Sequence, residues 1–272
     1  MQVPAGLHGH ALVVHGPLHV FYLHGFASSA KSTKAGFFAA RLRPYGITLH
    51  TPDFNEPDFS TLTVTRMIDQ VTGAIDALPE GPVVLIGSSL GGFVAVQTAL
   101  RAGAGRLKPA ATTAAAAMTK PAATPQLPAA TKPAAATEPA ATGSAHPVGR
   151  LVLLAPALDF SGNRTRDLGD RGLDEWQATG QLNVFHHAFG RVMPVHYELY
   201  SDACGYDCVN ARLTMPIQIF QGRYDKSVDP RSVEAWAHSR PNVDLHLLDD
   251  DHQLGASLDH IWREMERFLR LR

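Results

Sequence analysis

Short apolar runs alternate with stretches of helical spacing along most of this chain. The runs lie at His19 to Leu23, Thr48 to Pro52, Val83 to Gly87, Arg150 to Leu154, Ile217 to Gln221 and Asp244 to Leu248. They are largely apolar rather than two-fold alternating, as strands buried on both faces are. Ala11 to Val14 reads as an antiparallel edge strand. Helical spacing marks Ser32 to Arg43, Leu62 to Leu78, Gly92 to Leu100, Arg231 to Ala237 and Ser257 to Leu271. In the last, Leu258, Ile261, Trp262, Met265, Phe268 and Leu269 form one apolar stripe with Arg and Glu opposite, which is ordinary core packing. Strands separated by helices predict an α/β fold: a doubly wound, mainly parallel sheet flanked by helices on both faces.

The alternation breaks twice. Between Phe160 and Asn210 lies a stretch rich in aromatics and histidine, long enough for a small cap of short helices, expected after the sixth strand. From Ala102 to Pro147, 18 Ala, 7 Pro and 7 Thr fill 46 positions. Proline removes backbone donors there and almost nothing large and apolar is available to bury, so a mobile loop is expected. The remainder suits one domain over residues 1–272, with 102–147 as an insert and 160–210 as the cap.

Charge narrows the partners. With 24 Lys and Arg against 25 Asp and Glu, the formal net charge is −1, so no overall field favours nucleic acid or an anionic membrane. No apolar run approaches the ~20 residues of a membrane span, and residues 1–16 lack the features of a signal peptide. Cys204 and Cys208 are too few for a disulfide framework or a four-ligand zinc site, and read as reduced thiols or one local disulfide. The expectation is a cytoplasmic protein acting on a small molecule, without stable membrane insertion; the oligomeric state stays open.

The chemistry concentrates in Val83-Val84-Leu85-Ile86-Gly87-Ser88-Ser89-Leu90-Gly91-Gly92. An apolar strand that turns at once into a helix needs small residues on both sides of the turn, and Ser89 at its apex is a nucleophile elbow. A serine hydroxyl needs a base within reach and a carboxylate to orient that base, following in the order Ser, acid, His. Asp225, in Gly222-Arg223-Tyr224-Asp225, and His252, after Asp249-Asp250-Asp251, supply that order just beyond predicted strands. Asp225 is read as the acid and His252 as the general base. Asp229 competes for the acid role, but more naturally caps the helix after it.

Attack by Ser89 leaves an oxyanion that needs donors: the N–H of Leu90 and, from the loop Leu23-His24-Gly25-Phe26, the N–H of Phe26. His24 at that strand end reads as a structural hydrogen-bonding residue. His186, His187, His196 and His246 show no metal-ligand spacing, no phosphate-binding glycine loop is present, and neither metal nor cofactor is expected. Trp176, Phe185, Phe189 and Tyr197 are candidates for an acyl pocket or for the cap's own core.

With these residues assigned, the chain resembles the α/β-hydrolase superfamily outside the Ala/Pro/Thr insert. More closely, Tyr22-Leu23-His24-Gly25-Phe26-Ala27-Ser28-Ser29-Ala30-Lys31-Ser32-Thr33-Lys34-Ala35 together with Ile86-Gly87-Ser88-Ser89-Leu90-Gly91-Gly92 is similar to the YqiA/YcfP-type esterases. That resemblance implies a small single-domain serine hydrolase of acyl esters or thioesters, with Ser89, Asp225 and His252 as its triad. The chain departs from a minimal member in its insert and in its long, His-rich stretch 160–210. The expected reaction is hydrolysis of short to medium acyl esters through an acyl-enzyme on Ser89. The rivals are another bond type (lactone, peptide or carbon–carbon) on the same triad, and a ligand-binding member without catalysis.

Overall fold

In a computed structural model, residues 16–104 and 146–271 are described. The expected edge strand at Ala11 to Val14 and most of the 102–147 insert lie outside them. The chain runs through β1 (His19–Leu23), α1 (Thr33–Leu42), β2 (Leu49–His50), α2 (Val64–Asp76), β3 (Val83–Ser88), α3 (Leu90–Ala104) and β4 (Val148–Leu154). It continues through α4 (Phe160–Thr179), β5 (Gln181–His186), β6 (Arg191–His196), α5 (Glu198–Ala203), β7 (Ile217–Gly222), α6 (Pro230–His238), β8 (Val243–Leu248) and α7 (Leu258–Leu269). Six strands form one parallel sheet in the order β2-β1-β3-β4-β7-β8, while β5 and β6 pair separately as an antiparallel hairpin.

The apolar runs are continuous because successive side chains enter different cores. Val20 and Tyr22 of β1, Val84 and Ile86 of β3, and Val152 and Leu154 of β4 pack on one face against Phe38 and Leu42 of α1 and Ile261, Trp262 and Met265 of α7. Phe21, Leu23, Val83, Leu85, Leu151 and Leu153 point the other way, onto Met67, Ile68 and Val71 of α2, Val94 of α3 and Val233 of α6. Both faces of the parallel sheet are thus removed from water, the arrangement that such sheets require.

The helix starts are chemically marked. Ser32 caps α1 by accepting from the N–H of Ala35, Thr63 caps α2 from Arg66, and Asp229 caps α6 from Arg231. Asp229 thus takes the capping role that its position before α6 suggests.

The excursion at 160–210 differs from the expected cap in place and composition. Among the described residues it leaves the sheet after β4, the fourth strand rather than the sixth, and is not built of short helices alone. Helix α4 is long, with a break at Gly169 (φ 64°), and hands over through Gly180 (φ 72°) to the β5–β6 hairpin. Short α5 is tied to the N-terminus of α2, where Asp202 accepts from the Thr65 N–H at 2.8 Å and from its hydroxyl at 2.6 Å.

Candidate active site

Every candidate catalytic residue sits beyond the carboxyl end of a strand. Ser89 follows β3, Asp225 follows β7 and His252 follows β8, all on one edge of the sheet, where parallel α/β folds place their ligand crevices. Ser89 has φ 53°, a left-handed conformation that costs a non-glycine residue about 1–3 kcal/mol. The surroundings hold it there: its N–H donates to the Leu154 carbonyl at 2.9 Å, and its carbonyl accepts from Gly92 at 2.9 Å and Ala157 at 3.1 Å. The turn is also tightly packed. A Cβ at Gly91 would lie 2.0 Å from the Leu23 carbonyl oxygen, so only glycine lets α3 start against β1.

The candidate acid and base meet directly. His252 donates through Nδ1 to Asp225 Oδ2 at 2.7 Å, which leaves Nε2 free to act as a proton acceptor. Oδ1 of Asp225 accepts the N–H groups of Ser227 and Val228, each at 2.8 Å, and Oδ2 also accepts the Gln221 amide at 2.9 Å. Burial pushes this carboxyl upward, but its bond to His252, the imidazole's charge, the Val228 N–H and Gln221 together outweigh burial and hold it below the ordinary carboxylate range. Gln221, wholly buried at the end of β7, carries no catalytic signature in the sequence; its role emerges only from this contact. The loops are stitched by backbone bonds from Arg223 to Leu248 and from Tyr224 to Asp250, and a Cβ at Gly222 would lie 2.4 Å from the Asp251 carbonyl oxygen. Among the described residues, no hydrogen bond joins the Ser89 hydroxyl to His252.

The candidate oxyanion loop abuts Ser89: a Cβ at Gly25 would be 3.2 Å from Ser89 Cβ and 3.9 Å from its Oγ. The N–H groups of Phe26 and Leu90 donate to no protein carbonyl among the described residues. His24 is buried and structural in its contacts. Its Nε2 accepts from the Phe54 N–H at 2.9 Å, so Nδ1 carries the proton toward Gly25 O, also at 2.9 Å. Ala27, next in the loop, is left-handed at φ 54°.

The aromatic candidates separate. Trp176 does not reach the site: it is buried in the excursion's own core, donating from Nε1 to Val195 O at 3.1 Å and packing on Tyr197 and Tyr200. Phe185 is 53% exposed, directly opposite Val192 on the solvent face of the hairpin. Strand alternation explains that outcome, since its neighbours Val184 and His186 take the inward face. Phe189 stacks on His186 at 4.2 Å between ring centres. The aromatics around the candidate oxyanion loop are others: Phe26 lies 5.6 Å from Phe59 and 6.5 Å from Phe160. Their distant sequence positions hid this grouping.

Cys204 and Cys208 are unpaired; burial pushes the Cys208 thiol well up, away from nucleophilic reactivity. Among the described residues, no helix is long and apolar enough to cross a membrane.

The sheet order, the covering helices and the strand-edge site define the α/β-hydrolase fold. Residues 19–107 match UPF0227, an uncharacterised protein family. Similar folds occur in mouse alpha/beta hydrolase domain-containing protein 10, at 18% identity and TM-score 0.66, covering 95% of this chain and 92% of that one. Est1E of Butyrivibrio proteoclasticus is similar at 15% identity and TM-score 0.62, covering 93% and 86%. The Pyrococcus furiosus esterase Pf2001 is similar at 18% identity and TM-score 0.55, covering 93% and 80%. No curated protein sequence matches the chain.

Proposed function

We propose that the protein is a serine hydrolase that cleaves carboxylic or thio esters of short to medium acyl chains through an acyl-enzyme on Ser89. The observation that carries this reading is the left-handed Ser89 on the same sheet edge as the Asp225–His252 pair, bonded at 2.7 Å. His252 Nε2 takes the hydroxyl proton as Ser89 attacks the acyl carbonyl, and Asp225 stabilises the imidazolium that results. The N–H groups of Phe26 and Leu90 receive the oxyanion. His252 then protonates the leaving alcohol or thiol, and activates the water that releases the acid. The apolar grouping of Phe26, Phe59 and Phe160 suits an acyl group, and the folds named for esterase activity agree with the reaction class. The near-neutral net charge and two unpaired cysteines fit a small-molecule substrate and a cytoplasmic setting.

The test is a p-nitrophenyl ester chain-length series run beside acyl thioesters, with fluorophosphonate labelling mapped by peptide mass. Hydrolysis with label on Ser89 is the expected result. Labelling of Ser88 in its place, or no labelling and no turnover, would overturn the assignment.

A further inference from the structure

The hairpin β5–β6 reaches back over the sheet edge and is bound to the loop after β1. His187 donates its backbone N–H to Ala27 O at 3.0 Å. Asn55, from the segment following β2, donates its amide to Ser28 O at 2.9 Å and to Asp53 Oδ1 at 2.8 Å. With both amide protons so used, Asn55 Oδ1 faces His186, whose Nε2 lies 3.0 Å away and must be the donor. Asn55 and His186 are both buried, and the His186 ring is clamped between Phe59, edge-on at 4.6 Å, and Phe189, stacked at 4.2 Å. Among the described residues, His186 Nδ1 has no hydrogen-bond partner, so this ring serves the network through a single N–H.

The carbonyls held this way belong to the two residues following Phe26. Peptide units are planar, so fixing the Ala27 and Ser28 carbonyls, with Gly25 O already held by His24, leaves the loop's planes little freedom. It also stabilises the left-handed Ala27, which a free loop would relax. We propose that Asn55 and His186 are positioning residues: through Ser28 and Ala27 they hold the Phe26 N–H in its oxyanion-binding orientation, coupling the seating of the β5–β6 hairpin to the rate of acyl transfer. The inference rests on the hydrolase reading above and extends it to residues that touch neither substrate nor triad.

An oxyanion donor is worth about 100- to 1,000-fold in kcat, and a displacement of ~1 Å can cost about 100-fold. Asn55→Ala and His186→Phe, the second keeping an aromatic ring but no donor, are therefore expected to lower kcat on p-nitrophenyl acetate about 10- to 100-fold with KM within about 3-fold. His186→Gln restores an N–H toward Asn55 Oδ1 and is expected to recover most of the rate. The double variant Asn55→Ala/His186→Phe should be no slower than Asn55→Ala alone, because both act on one loop. Amide exchange at residues 26–28 should accelerate in Asn55→Ala and His186→Phe but not in His186→Gln. An unchanged kcat in both single-loss variants, measured well below their melting temperatures, would overturn the proposal while leaving the triad standing. A wild-type protein that neither hydrolyses esters nor labels at Ser89 would overturn the underlying reading and this role with it.

Discussion

Asp225 lies fully out of solvent at its side chain, while His252, bonded to it at 2.7 Å, keeps 19% of its own exposed. A carboxyl held below its ordinary range is thus sealed behind an imidazole that keeps contact with solvent. Three further hydrogen bonds to Asp225, from Ser227, Val228 and Gln221, keep that pair from rearranging.

Asp225→Asn removes the acceptor that selects the His252 tautomer. Loss of tautomer control in such triads costs on the order of 10⁴ in kcat, so a drop of 10³ or more is expected in ester hydrolysis, with Asp229→Asn close to wild type. Steady-state kinetics of the two variants side by side decide the matter. A larger loss in Asp229→Asn would move the acid to the helix cap.

The proposed nucleophile, Ser89, holds a strained backbone. Ser89→Ala and Ser89→Gly should both lose turnover by several orders of magnitude, yet differ in stability. Glycine adopts φ 53° without penalty, so Ser89→Gly should exceed Ser89→Ala by up to about 1 kcal/mol in urea unfolding, after allowing for glycine's greater unfolded-state entropy. Equal stability of the two would mean that the elbow stores no strain.

Gly91→Ala places a Cβ 2.0 Å from the Leu23 carbonyl oxygen, whereas Gly36→Ala in α1 meets nothing within 4 Å. The first should destabilise by about 3 kcal/mol or more, or fail to fold. The second should stabilise by about 0.5–1 kcal/mol through helix propensity. Thermal melts of both variants test this contrast.

Burial pushes the His186 imidazole below the ordinary histidine value; His24 and His187 add to that push, and Asp53 opposes it. The folded protein therefore binds fewer protons here than the unfolded chain. His186's contribution to stability is complete above the unfolded pKa of about 6.5 and is lost as pH falls below it. Urea midpoints at pH 7.5 and 5.5 should differ more in the wild type than in His186→Gln. Asp225, held low, adds its own loss only at more acidic pH, below about 4. A pH difference in His186→Gln as large as in the wild type would remove His186 from the account.

Much of the fold was legible along the chain because a strand buried on both faces must be apolar throughout and an amphipathic helix must repeat its apolar positions. The runs at His19 to Leu23 and Ile217 to Gln221 and the stripe of α7 lie where those local rules put them. Gly87, Gly91 and Gly92 around Ser89 were equally readable, since a sharp strand-to-helix turn constrains its own few residues. Tertiary structure alone decided what distant segments do to one another. Whether Trp176 lined a pocket or packed a core depended on Val195, Tyr197 and Tyr200 closing around it. The joining of Asn55 to His186, 131 positions apart, leaves no periodic trace because neither residue's neighbours require it. Periodicity records what each segment must bury, whereas the partners across a site follow from the order in which the sheet assembles its strands.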